Sequence, residues 1–177
     1  MLGRQATAVE EGIGELEVQL ADFFGDHYAR LVRLAALICH SSASVEDAVQ
    51  AAMEQAWRSR HTLRDVERLR PWLDQIVVRE SIRLNRRPWW ARFQANDDPP
   101  QSEPRDRRGG VDPNWIALSV AFRKLPAEQR AVVALHLYEG YPVEETAALT
   151  GASVETTRSR LKLARKRLRR ELGEEET

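Results

Sequence analysis

Cysteine is almost missing from this chain. A single residue, Cys39, leaves no internal disulfide to be made and has no metal-ligand cluster beside it, which fits a reducing compartment. Net charge is missing too. Among 177 residues, 27 basic side chains balance 27 acidic ones, which excludes a uniformly basic coat and requires any DNA or RNA contact to be local. Long apolar runs are absent. The longest, about Leu34–Cys39, falls far short of the ~20 residues that cross a bilayer. The start, "MLGRQATAVEEGIGELE", has neither the basic opening nor the apolar stretch of a signal peptide. The expectation is a cytoplasmic protein without membrane insertion. His27, His40, His61 and His136 are scattered, no glycine loop can cradle a phosphate, and the acids fall on helix faces. That excludes an obvious active site, so no catalytic residue, metal or cofactor is expected.

Strand signals are also scarce, whereas helical periodicity fills two blocks. In the first, from about Leu16 to Trp90, Leu20, Phe23, Phe24, His27, Leu31, Leu34 and Ile38 recur at spacings of three and four. "SVED", 44–47, predicts a capping box with Ser44 as the cap and Asp47 reaching back. Val45, Val49, Ala52, Met53 and Ala56 then face inward. The polar stretch 58–70 reads as a connector, and Pro71 opens a third helix whose apolar positions include Trp72, Leu73, Ile76, Val77, Ile82 and Leu84. Trp57 and Trp72 are expected in the core. The segment 94–113, with its prolines, paired glycines and mixed charge, has almost nothing to bury and predicts a flexible linker.

In the second block Ala117, Leu118, Ala121, Phe122 and Leu125 make a short helix, and Pro126 starts another that ends at Gly140 as a left-handed cap. Pro142 with Glu144 and Glu145 opens a third. "TGAS" breaks it, and Ser153 caps a long final helix. The expected fold class is all-α: two small helical domains joined by a flexible linker, the C-terminal one a helix-turn-helix. The boundaries are a 1–15 extension, domains at 16–93 and 114–172, the linker at 94–113 and an acidic tail at 173–177.

That final helix holds eight cations against one acid, Glu155, over 151–170. Val154, Thr157, Leu161, Ala164 and Leu168 form its inward stripe, so Arg158, Ser159, Lys162, Arg165, Lys166, Arg169 and Arg170 point elsewhere. A solvated basic face is one reading. The other is a recognition helix, since a short helix, a glycine turn and a capped second helix with cations and hydroxyls at its start form the helix-turn-helix pattern. Arginine can fork onto guanine while other cations neutralise phosphates.

"LPAEQRAVVALHLYEGYPVEETAALTGASVETTRSRLKLARKRLRREL" resembles the C-terminal domain of extracytoplasmic-function sigma factors, the small bacterial members of the sigma-70 family. That segment alone is also similar to response-regulator DNA-binding domains. "FFGDHYARLVRLAALICHSSASVEDAVQAAMEQAWR" followed by "RPWLDQIVVRESIRLNRR" resembles the same family's promoter-melting domain, and the two come in the family's order. The resemblance implies a promoter-specificity subunit that binds core RNA polymerase through its β′ clamp helices and β flap, and binds promoter DNA. Asp47, Gln50 and Glu54 match the polymerase-binding face, although a solvated face, or a capping role for Asp47, remains an alternative. His61, Thr62 and Arg64 match a loop that pockets an unstacked base of the minus-ten element, and Arg79, Arg83, Arg86 and Arg87 a basic flank. Family members commonly have asparagine and aspartate where this chain has Arg79 and Arg83, which leaves the base read there open. Ser153, Thr156, Arg158, Ser159, Lys162, Arg165 and Lys166 match the minus-thirty-five contacts. Many family members are held by an anti-sigma factor covering both domains, and opposed local charges suit such a partner or an intramolecular docking. A stand-alone helix-turn-helix regulator without polymerase contact is the alternative function.

Overall fold

Apolar residues three and four apart make a stripe along a helix, and a stripe has to be covered by another element. The computed structural model describes residues 2–63, 65–85 and 113–173, and these contain seven α-helices and no strand. They are α1 (Leu2–Ile38), α2 (Ser42–Ser59), α3 (Leu69–Asn85), α4 (Pro113–Arg123), α5 (Ala127–Val133), α6 (Val143–Thr150) and α7 (Val154–Glu171). Two 3-10 turns, Arg60–Thr62 and Val66–Arg68, join α2 to α3. A π-helical turn, Ala134–Tyr138, extends α5. The all-α class holds. The expected linker and acidic tail lie almost wholly outside the described residues.

In the first block, Leu31, Leu34 and Ile38 of α1 meet Val45, Val49 and Ala52 of α2 and Val77 and Ile82 of α3. Each fully buried side chain of this size contributes about 1.5–3 kcal/mol of transfer free energy. Leu20, Ala56, Leu69 and Leu73 form a smaller cluster, with Trp72 packed on it. Three local expectations are corrected. The cap of α2 is Ser41, whose hydroxyl accepts from the Ser44 amide at 3.2 Å, so Ser44 already lies in the first turn. Helix α3 begins at Leu69, ahead of Pro71; proline in a first turn removes no helical hydrogen bond, so it tolerates this start without fixing it. Trp57 is 45% exposed rather than in the core, with the Arg60 guanidinium 5.0 Å above its ring.

In the second block, Gly140 and Gly151 adopt left-handed φ of +81° and +68°. Gly151 closes α6, its amide donating to the Ala148 carbonyl at 3.2 Å. Two residues later Ser153 caps α7, accepting from the Thr156 amide at 3.1 Å. Of the predicted inward stripe of α7, Thr157, Leu161 and Ala164 are buried and Val154 and Leu168, toward its two ends, are half-buried. The expectation for α4 is half met: Ala121 and Leu125 are buried, but Ala117 and Leu118 are exposed beside Trp115, Ile116 and Val120. The buried positions sit at the C-terminal end of α4 and in the turn after it, which leaves the preceding turns uncovered.

The two blocks pack on each other. Ala127, Ala131, Ala134 and Leu135 from α5 and its π turn, with Leu149 of α6, join the same apolar cluster as α1–α3. At its edge Arg130 is buried, donating from Nε and Nη2 to the Ile38 carbonyl and from Nη1 to the carbonyls of Arg123 (3.0 Å) and Leu125 (3.1 Å). Ile38 and Arg123 end α1 and α4, where carbonyls lack helical partners and carry partial negative charge. One guanidinium therefore satisfies two helix ends from different blocks.

Candidate nucleic-acid interface

The helix-turn-helix fixes what α7 presents. With Thr157 turned inward to donate to the Ser153 carbonyl at 3.0 Å, its neighbours Thr156 and Arg158 face out. All seven positions matched to minus-thirty-five contacts, Ser153, Thr156, Arg158, Ser159, Lys162, Arg165 and Lys166, are exposed and lie along one helix. Arg158 is held by Glu144 of α6, Nη2 to Oε1 3.0 Å, with both side chains about two-thirds exposed. Such an exposed pair contributes little to stability but limits where the guanidinium points. An open groove of about 680 Å³ runs beside Arg158, Lys162, Arg165 and Lys166 and is floored by His136 and Val143.

On α2, Asp47, Gln50 and Glu54 stand exposed, and the Gln50 amide donates to Glu54 at 3.3 Å. Ser41 occupies the capping role, so Asp47 is left on the outer face. His61 and Thr62 are exposed in the turn after α2, where the Thr62 hydroxyl donates to the Ser59 carbonyl at 2.7 Å. Next to them, Trp57 under Arg60 offers an aromatic face that the sequence reading assigned to the core; the arginine three residues after the tryptophan was the available signal. Arg64, Arg86 and Arg87 lie outside the described residues. Arg79 and Arg83 are exposed on α3, with Arg83 paired to Glu80 at 2.6 Å. Glu144 is the other residue that sequence reasoning missed, since only the fold brings it to Arg158.

Burial pushes the Cys39 thiol above its ordinary pKa, in keeping with a free, buried cysteine. Among the described residues no group of His, Cys, Asp and Glu is placed to hold a metal, and no helix is long and apolar enough to cross a membrane.

Residues 23–91 match the family model for sigma-70 region 2 and residues 116–168 the model for sigma-70 region 4. The ECF RNA polymerase sigma factor SigM of Mycobacterium tuberculosis is 36% identical over 151 residues, covering 85% of this chain and 75% of that protein. The chain belongs to the ECF RNA polymerase sigma factors. SigL of the same organism, also an ECF sigma factor, is 33% identical over 159 residues, covering 85% of this chain and 87% of its own length. The fold is similar to that of the sigma factor RpoE from Bartonella quintana in complex with the anti-sigma factor NepR, with TM-score 0.63, 23% identity and coverage of 94% and 99% of the two chains. This ECF sigma factor is thus a promoter-directing subunit that binds RNA polymerase. The stand-alone regulator is not favoured, because the region 2 match occupies the block that such a regulator does not need.

Proposed function

We propose that the residue roles follow the two faces just described, with the 16–93 domain docking on polymerase and opening DNA and the 114–172 domain holding the upstream element. Asp47, Gln50 and Glu54 meet the β′ clamp helices. His61, Thr62 and Arg64, with Trp57 as an added stacking face, receive an unstacked minus-ten base, and Arg79, Arg83, Arg86 and Arg87 follow the strand's phosphates. Thr156, Arg158, Ser159 and Lys162 read the minus-thirty-five element, Ser153 lies near phosphate, and Arg165 and Lys166 hold its backbone. The uncovered apolar face of α4, Trp115, Ile116 and Val120, suits an apolar segment of the β flap. The factor works in the cytoplasm, is not an enzyme by itself and needs no cofactor; an anti-sigma factor is a further partner of the kind seen with RpoE.

The observation that carries this reading is the division of α7: Thr157, Leu161 and Ala164 are buried, while the hydroxyls and cations between them are exposed on a capped helix set by a glycine turn. The test is transcription by core polymerase with and without the protein over a genome-wide promoter library. Stimulation at a family of promoters sharing two spaced elements is expected. No stimulation at any promoter would defeat the reading.

A further inference from the structure

The cations of α7 are not equivalent. Of Arg158, Lys162, Arg165 and Lys166, the four assigned to the minus-thirty-five element, Arg158 alone is tied to a carboxylate among the described residues. Its partner, Glu144, belongs to α6, 14 residues away in sequence, and the bond from Nη2 to Oε1 measures 3.0 Å. The helix-turn-helix itself sets this pair. Pro142 precedes α6, and Glu144 stands in its first turn, at the positive end of the helix dipole. The left-handed Gly151 and the Ser153 cap then turn the chain so that the start of α7 faces that end of α6. Glu145, the other acid of the same turn, has Arg68 as its near cation, at 3.9 Å.

Folding does not need the pair. The side chains of Arg158 and Glu144 are 66% and 64% exposed, and an ion pair so placed adds little to stability. What it changes is the choice open to the guanidinium. An arginine facing DNA meets two kinds of acceptor: phosphate oxygens, which are charged, and the O6 and N7 of guanine, which are not. Charge alone favours the phosphate. A carboxylate at the arginine's side repels phosphate from that direction. It also occupies only one of the guanidinium's N–H donors, so a forked edge stays open toward a base.

We propose that Glu144 is a specificity-determining positioning residue, which turns Arg158 from a phosphate contact into the reader of one guanine in the upstream element. The inference rests on the assignment of Arg158 to that element. Arg165 and Lys166 have no such carboxylate beside them, and the strongest acceptor within their reach is the phosphate backbone. The acid on α6 thus separates reading from holding along α7, although it lies outside the recognition helix.

The test uses holoenzyme reconstituted with core polymerase, and promoter duplexes in which each base pair of the upstream element is varied in turn, at several salt concentrations. For Glu144→Ala, discrimination at one base pair should fall about tenfold. Binding to duplexes lacking the element should rise, and the salt slope should steepen by about 1, the mark of a new phosphate contact. Glu144→Gln keeps an acceptor and should restore most of the discrimination. Glu145→Ala removes the same charge from the same turn and should leave discrimination unchanged. In the Arg158→Ala background, Glu144→Ala should have no further effect at that base pair. Unchanged discrimination in Glu144→Ala, where Arg158→Ala does relax one base pair, overturns the proposal alone, as does an equal effect of Glu145→Ala. A loss that persists in the Arg158→Ala background overturns it as well, since Glu144 would then read the base itself. If Arg158→Ala relaxes no base pair, the assignment of Arg158 fails and the proposal falls with it.

Discussion

The arginines of this protein serve in two different ways. At the seam, Arg130 is buried and its donors are taken up by backbone carbonyls, while Arg30 is shared between Asp74 and Glu139. On α7, Arg158 and Arg165 stand in solvent. Burial by itself opposes the Arg30 charge, and its hydrogen bonds to and the charges of Asp74 and Glu139 outweigh that, so its pKa is raised. Tyr141 is also raised, by burial first and then by its bond to the Asp74 carboxylate. A guanidinium locked into carbonyls and carboxylates fixes architecture; one held in water on a capped helix is available to an anion arriving from outside. Composition alone treats these residues as equal.

The largest effect should come from the seam. Arg130→Ala removes the buried guanidinium that donates to the carbonyls of Ile38, Arg123 and Leu125, leaving Ile38 the Asn85 amide at 3.2 Å, and a loss of about 3 kcal/mol in urea unfolding is expected from these lost buried bonds. A loss under 1 kcal/mol would place Arg130 with the surface arginines. On α7 the contrast should reverse, with stability almost unchanged and DNA binding reduced. Arg158→Ala should weaken upstream-element use by about 1–3 kcal/mol and relax preference at one base. Arg169→Ala should weaken binding evenly across sequences and lower the salt slope by about 1. Equal effects from the two would mean that α7 lies on the backbone without reading bases. Ser153→Ala removes the cap of α7, and thermal unfolding should report a loss of about 1 kcal/mol. The smallest effect belongs to the surface pair of Lys124 and Glu171. The hydrogen bond from Lys124 holds the Glu171 carboxyl below its ordinary pKa, so the pair's support is present above that ordinary value and fades as pH falls through the depressed one. Lys124→Ala should return the Glu171 titration, followed by NMR, toward the ordinary carboxylate range.

Much of the site was legible because helical periodicity sorts inward from outward residues. The stripe of Thr157, Leu161 and Ala164, the Ser153 cap and the left-handed Gly140 follow from residue type and spacing. What escaped depends on contacts distant in the chain. Nothing near Arg130 in sequence indicates Ile38, 92 residues away, or marks Glu139 and Tyr141 as partners of Arg30 and Asp74. Trp57 is expected in the core because a large aromatic ring usually buries much of its surface, and here it stays 45% exposed near the end of α2 with the Arg60 guanidinium beside one face. Ser44 is the cap that the capping-box pattern "SVED" indicates, but serine also stands at 41 and 42, and only backbone geometry shows that Ser41 begins the helix.

The most direct measurement places a photo-cross-linking residue at Lys162 and forms the complex with core polymerase on a cognate promoter. Cross-links to duplex at the upstream element are expected, with the minus-ten region untouched by that probe. Cross-links only to the sigma chain itself, with no DNA recovered, would contradict the account.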